Sequence, residues 1–329
     1  MHKPATRNQV KVTVGIPARL HLGFLDLDGG LGRRFGSIGV AISDLRTRIA
    51  IEPAAAMHIN GPESDRVERF IDTMRRDLGL DDAYRVDVLD VVPAHAGLGS
   101  GTQLALAVAA GVRRLHALPL DVMADAQRLE RGARSGVGIG LFEHGGLVVD
   151  GGRGPTAMPA PVIVRMPFPD DWRILVILDP SRQGKHGPDE LAAFETLPRF
   201  AAATAAHLCR LVLMKALPGL AERDLAAFGS AITEMQTLLG DHYAPAQGGA
   251  RFMSPDVGAV IDALEHAGAV GIGQSSWGPT GFALAPTAAD AERLAGIARG
   301  HANARGLDIR VCAGLNHGAD VTAHAPDDS

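Results

Sequence analysis

A two-domain α+β fold is predicted from three observations. Alternating, extended segments are interleaved with amphipathic helical runs along the whole chain. A glycine-rich turn at residues 92–102 stands where one of those extended segments passes into a helix. Towards the C-terminus the segments follow the order helix, strand, strand, helix, strand. A length of 329 residues suits two domains.

Residues 11–16 alternate as a first strand, and a glycine-rich loop carrying Arg33 and Arg34 follows. Residues 38–42 and 46–52 read as two antiparallel strands with a tight turn near Ser43 and Asp44. Over 63–78, Val67, Phe70, Ile71, Met74 and Leu78 fall on one helical face. The strand at 84–89 leads into the turn, and the apolar run 103–115 behind it reads as a helix. Asp121 is placed to cap a helix reaching about Ala133. A second glycine-rich stretch, 134–140, runs into Phe142-Glu143-His144-Gly145-Gly146 and a strand at 147–149.

The loop-like segment 151–161 marks the domain boundary, giving domains 1–160 and 161–329. Residues 173–178 form an apolar strand, and the polar stretch 179–189 reads as a mobile surface loop. Helices are expected at about 189–196, 199–216 and 222–239. Ser254 caps a helix opened by Pro255. Strands at 269–273 and 282–285, a helix at 288–303 and a strand at 308–312 complete an order typical of a ferredoxin-like α+β sandwich.

Composition excludes several classes. The net charge of −5 gives no global field favouring nucleic acid, and 4% aromatic content offers little surface for stacking bases. Cys209 and Cys312 lie far apart and read as buried thiols of a reducing compartment. CxxC and HExxH spacings are absent, and the first eleven residues lack the apolar core of a signal peptide. The longest apolar run, 200–217, is interrupted by His207, Arg210 and Lys215, so no membrane span is expected. The expectation is a soluble, cytoplasmic protein acting on small molecules.

The turn itself points to phosphate chemistry. Gly97, Gly99 and Gly101 let an anion approach the main chain, and the first free N–H groups of the helix point into the turn with the positive end of its dipole. Ser100 and Thr102 add hydroxyls for phosphate or magnesium. The GxxxxGK[ST] and GxGxxG spacings are absent. The alternative is an ordinary glycine-rich turn capping a buried helix.

Four glycine-bearing stretches occur in order: 17–26, 93–102, 134–140 and 271–280. With its companions, the PxxxGLGSG turn resembles the superfamily of galactokinase, homoserine kinase, mevalonate kinase and phosphomevalonate kinase (GHMP). The resemblance implies an N-terminal domain like ribosomal S5 domain 2 and a ferredoxin-like C-terminal domain, with the active site between them. Many of these kinases carry SGxxD with a catalytic aspartate; here Ser135-Gly136-Val137-Gly138-Ile139 has no carboxylate. This departure, with Pro17-Ala18-Arg19-Leu20-His21-Leu22-Gly23, Phe142-Glu143-His144-Gly145-Gly146 and Gln274-Ser275-Ser276-Trp277-Gly278-Pro279, resembles one branch, the β-ribofuranosylaminobenzene 5′-phosphate synthases.

That branch implies a pentosyltransferase of tetrahydromethanopterin biosynthesis. It joins phosphoribosyl pyrophosphate to 4-aminobenzoate or 4-hydroxybenzoate and releases carbon dioxide and pyrophosphate. Magnesium, and a homodimer, are implied with it. On this reading Gly97, Leu98, Gly99, Ser100, Gly101 and Thr102 hold pyrophosphate, helped by Arg19, His21 and Lys185, with His186 beside Lys185. Arg134 clamps phosphate, Glu143 or His144 accepts the para-group proton, and Ser100 with Asp26, or Asp28, ligates magnesium. Trp277, with Ser275 and Ser276, meets the benzoate. Structural roles remain the alternatives for His21, Arg134, Glu143, His144, Trp277, Lys185 and the aspartates. An ATP-dependent small-molecule kinase, and a non-catalytic nucleotide-binding protein on the same fold, are the competing functions.

Overall fold

The computed structural model describes residues 10–156, 158–184, 193, 197–302 and 306–325. Two long strands frame the first sheet. β1 (Lys11–Asp26) and β2 (Phe35–Ala54) pair antiparallel along most of their length. The turn expected near Ser43 and Asp44 is instead a bulge inside one continuous strand. Pro17 pairs with Arg46 and Ala18 with Ile42, so residues 43–45 stand outside the ladder, and Asp44 takes φ 64°. Pro17 sits at this irregularity and beyond the last residue that β11 pairs, where a missing N–H disturbs the ladder least.

The sheet order is β11–β1–β2–β4–β3, formed with β3 (His58–Asn60), β4 (Ala83–Asp90) and β11 (Asp320–His324). β5 (Leu147–Asp150) also pairs with β2, and β6 (Val162–Met166) pairs with β5. The first sheet therefore holds one strand just past the 160/161 boundary and one from the end of the chain. α1 (Ser64–Leu78), α2 (Ser100–Leu115), α3 (Val122–Arg128) and α4 (Val137–His144) belong to this half. Val67, Ile71 and Met74 of α1 and Leu104 and Val108 of α2 pack with Val12, Val14, Ile49 and Ile51 of the strands.

Asp121 caps α3 as expected, accepting from Ala124 N–H at 3.2 Å. The helix stops near Arg128 rather than Ala133, because Glu130 and Gly132 adopt left-handed φ of 57° and 80°. Part of the second glycine-rich stretch is helix α4, with Gly136 as its N-cap.

The C-terminal half has the expected ferredoxin-like topology. β7 (Arg173–Leu178), β8 (Val270–Gln274), β9 (Thr280–Ala285) and β10 (Asp308–Ala313) form an antiparallel sheet ordered β10–β7–β9–β8. α5 (Ala202–Leu211) continues through a π-helical turn, Val212–Ala216, into α6 (Leu217–Ala221) and then α7 (Leu225–Tyr243). α8 (Pro255–His266) is capped by Ser254, whose Oγ accepts from Val257 N–H at 3.3 Å. α8 and α9 (Ala288–Ala302) share a core with β7 and β9 through Val257, Ile261, Leu294, Leu175 and Ala283. The helix expected at 189–196 lies mostly outside the described residues. Phe228, Ile232 and Met235 of α7 pack with Leu20, Leu22 and Ile38 of the first sheet, so one core runs between the two halves.

Candidate active site

The glycine turn sits at the junction of the two sheets. Gly97 and Gly99 have φ of 81° and 78°, and the Gly99 carbonyl accepts from Thr102 and Gln103 N–H at 3.0 and 3.1 Å. A Cβ on Gly97 would lie 2.1 Å from the Ser275 carbonyl oxygen, so glycine is demanded there by both space and conformation. Arg19 N–H donates to the Leu98 carbonyl at 3.1 Å, pinning β1 to the turn. Behind it α2 begins at Ser100 and presents its N-terminus to a cavity of about 720 Å³.

This cavity brings together Arg19, Gly97, Gly99, Ser100, Gly101, Thr102, Arg134, Ser276 and Trp277. Those residues come from four separate stretches, as the sequence indicated. The cavity also takes in residues the sequence did not single out: Arg66 from the first turn of α1, His95, and Glu130 and Arg131 from the α3–α4 connection. Arg66 lies on the polar side of an amphipathic helix, where an arginine usually reads as solvated. Arg131 is drawn below the usual arginine range, first by burial and then by the charge of Arg66.

Asp150 fixes the second glycine-rich stretch. It is fully buried and accepts from Ser37 Oγ at 2.6 Å, Gly136 N–H at 2.8 Å, Gly152 N–H at 2.9 Å and Ser135 Oγ at 3.3 Å. Burial pushes its carboxyl upward, against these hydrogen bonds. Its donors come from β2, from the loop before α4 and from the turn after β5, so one side chain sets where Arg134 and Ser135 meet the cavity.

Several expected site residues lie elsewhere. Leu98 is fully buried in the core and contributes its carbonyl, not its side chain. His21 is 1% exposed, with its ring 4.4 Å from Phe24, and it borders a void of only about 20 Å³. Burial, then the charge of Arg19, hold its pKa well below the ordinary value, so it is a neutral core imidazole and not a phosphate ligand. Ser275 is also fully buried; its Oγ donates to the Gly97 carbonyl at 2.8 Å and accepts His21 N–H at 3.0 Å, so it braces the turn and cannot meet benzoate.

Trp277 borders the cavity, but its ring packs 4.9 Å from Tyr243 and the residue is 3% exposed, which leaves no open face for stacking a benzoate. Glu143 and His144 are exposed at the C-terminal end of α4, and the cavity meets the opposite end of that helix at Ser135 and Gly138. They are separated from it by most of the helix, about 9 Å of rise. Asp26 caps a turn, accepting from Asp28 and Gly29 N–H at 2.9 and 2.8 Å. Asp28 is engaged by Arg199 at 2.9 Å, and that hydrogen bond lowers its pKa. Neither aspartate borders the cavity. Lys185 and His186 lie outside the described residues.

Among the described residues, no group of three or more His, Cys, Asp or Glu is arranged to hold a metal, and no helix is long and apolar enough to cross a membrane. The arrangement is one for binding anions: a helix N-terminus, four hydroxyl residues and four arginines around one cleft.

The fold and this cleft define a member of the GHMP superfamily. Residues 65–146 match the GHMP kinases N terminal domain, and residues 216–303 the GHMP kinases C terminal family. Among solved structures, homoserine kinase from Cytophaga hutchinsonii is similar at a TM-score of 0.70 and 19% identity, over 98% of this chain and all of that one. Mevalonate diphosphate decarboxylase from Staphylococcus aureus is similar at 0.65 and 16%, over 95% and 98% of the two chains. At such identities the likeness is one of fold.

The chain belongs to the β-ribofuranosylphenol 5′-phosphate synthase family, an enzyme family of the pentosyltransferase type. It is 30% identical to the synthase of that name from Methanothermobacter thermautotrophicus, over 84% of this chain and 89% of the relative. It is 34% identical to that from Archaeoglobus fulgidus, over 68% and 74%.

Proposed function

We propose that this enzyme transfers the phosphoribosyl group of phosphoribosyl pyrophosphate to the carboxyl-bearing ring carbon of 4-hydroxybenzoate or 4-aminobenzoate, in tetrahydromethanopterin biosynthesis. The phenol in the relatives' name favours 4-hydroxybenzoate. One observation carries the reading. The anion cleft is fully formed, while the position matching the catalytic aspartate of SGxxD is Ile139, 0% exposed in the core. A kinase base is missing where a polyanion site is intact.

The chemistry balances without a net proton. The C1–O bond breaks and its electron pair leaves with pyrophosphate. The ring carbon forms the new bond to C1. The carboxylate then departs as carbon dioxide, and its bonding pair restores the aromatic ring. The para hydroxyl or amino group feeds electrons to that carbon. Glu143 and His144 do not reach the cleft; Glu130 and His95 are the carboxylate and imidazole that border it and can hold the para-group proton.

The amides of the glycine turn, Ser100, Thr102 and the arginines hold the pyrophosphate and draw charge towards the leaving group. The donor set fits a magnesium ion carried in by the pyrophosphate, with Ser100 Oγ as its protein ligand, and does not fit a cage of protein carboxylates. Such an ion supplies charge neutralisation on the leaving group.

The test uses purified protein, magnesium, phosphoribosyl pyrophosphate and either benzoate labelled at its carboxyl, with ATP in a parallel reaction. Equimolar release of labelled carbon dioxide and pyrophosphate without ATP is expected. ATP turnover on a small alcohol, with no carbon dioxide from either benzoate, would replace the reading with the kinase one.

A further inference from the structure

We propose that Arg66 and Arg131 clamp the terminal phosphate of the diphosphate leaving group above Gly101. The inference rests on the transfer reading and gives that reading's leaving group a place in the cleft.

Two elements remote in sequence deliver guanidinium groups to one point. A Cβ on Gly101 would meet Arg66 Nη2 at 2.7 Å and Arg131 Nη1 at 3.5 Å. Both side chains border the cavity. Each is oriented from behind. Arg66 Nη1 donates to Glu63 Oε2 at 2.8 Å. Arg131 Nε donates to the Leu129 carbonyl at 3.0 Å, and its guanidinium lies 5.3 Å from the centre of the Phe70 ring. Two like charges converging in a half-buried place repel each other, and an anion between them removes that cost. Glu63 offsets part of the charge on Arg66 and Glu130 part of that on Arg131, while Arg69 adds to the repulsion on Arg131.

The position suits a diphosphate. A phosphate seated on the amides at Gly99 and Ser100 places its neighbour, one bridging oxygen away, over Gly101. Planar guanidinium groups hold phosphate oxygens in pairs and gain strength as charge builds on the departing group. The missing Cβ at Gly101 is the space this requires. The face of Phe70 behind Arg131 is covered by that guanidinium, so this ring offers no stacking slot for a purine.

Calorimetry on the full-length protein with magnesium tests this, using inorganic pyrophosphate, ribose 5-phosphate and ADP as probes. Arg66→Gln and Arg131→Gln should each weaken pyrophosphate binding about tenfold or more and leave ribose 5-phosphate within about twofold. Arg69→Gln removes the same charge one turn along α1 from an exposed residue outside the cavity lining, and should change neither. Adenosine should add no affinity, so ADP binds no tighter than pyrophosphate.

Unchanged pyrophosphate binding in folded Arg66→Gln protein overturns the clamp, even if Arg131→Gln fails to fold. An equal loss in Arg69→Gln overturns it in favour of a general field effect. ADP binding more than about tenfold tighter than pyrophosphate overturns the leaving-group assignment in favour of a nucleotide site. Binding is read without turnover, so a clamp that responds as expected in a protein releasing no carbon dioxide upholds the clamp and rejects only ribosyl transfer.

Discussion

The Ser275 hydroxyl donates to the Gly97 carbonyl at 2.8 Å, across 178 residues of sequence, and accepts the His21 N–H at 3.0 Å. One buried oxygen thus joins β1, the glycine turn and the β8–β9 loop. Ser275→Ala would leave a buried acceptor and a buried donor without partners, at about 1–3 kcal/mol each. The expected result is a lower urea midpoint together with weaker donor binding. A variant as stable as the parent would show that the turn is held by backbone packing alone.

Ser100 and Thr102 both border the cavity from the first turn of α2. Ser100→Ala and Thr102→Val should raise the KM for phosphoribosyl pyrophosphate by about tenfold to a hundredfold, the worth of one hydrogen bond to a charged group, and leave the benzoate KM nearly unchanged. Steady-state kinetics with each substrate varied in turn separates the two. Equal loss for both substrates would remove these hydroxyls from the donor site.

The buried imidazole of His21 makes stability depend on pH. Its folded pKa lies well below the ordinary 6.5, through burial first and the charge of Arg19 second. Below pH 6.5 the unfolded chain therefore binds a proton that the native state does not. The stability it contributes is fully present above 6.5 and falls as the pH drops, by about 1.4 kcal/mol per pH unit, until the folded pKa is reached. Urea unfolding between pH 7.5 and 5 should show a steeper decline for the parent than for His21→Gln. Parallel curves would mean that His21 charges in the folded protein.

Glu143 and His144 stand exposed at the far end of α4 from the cleft. Glu143→Gln and His144→Gln should each keep kcat and both KM values within about twofold, because exposed substitutions away from a site change little. A loss of kcat of a hundredfold or more in either would bring that end of the helix back into the chemistry.

The glycine turn was legible because glycine spacing and a strand-to-helix transition are local signals. Gly97, Gly99, Ser100 and Thr102 fall where that spacing put them. The C-terminal topology was legible for the same reason, since Ser254 and Pro255 mark a helix start in any context. The bulge at residues 43–45 was not. A bulge and a tight turn share the same polar residues, and only the partner strand shows that the ladder resumes.

The misplaced residues have a common cause. Glu143 and His144 follow the second glycine-rich stretch directly, and the reading that the resemblance implies places them in the site. The stretch turned out to be helical, and a helix carries successive residues away at about 1.5 Å each. Trp277 and Ser275 are flanked by residues typical of loops, yet both are drawn inward because the two halves close over them. Arg66 and Arg131 carried no motif, and nothing local distinguishes a guanidinium that reaches a cleft from one in water.

By itself the sequence determined the glycine turn and the two-part fold, since backbone conformation at a glycine turn and the periodicity of apolar residues are properties of short segments, while the enzyme class rested on the resemblance its motifs carry. Only the tertiary structure decided which side chains share the cleft. That choice depends on packing between elements far apart in the chain: Asp150 tying the loop before α4 to β2, Ser275 tying the turn to the last hairpin, and α1 carrying Arg66 over Gly101.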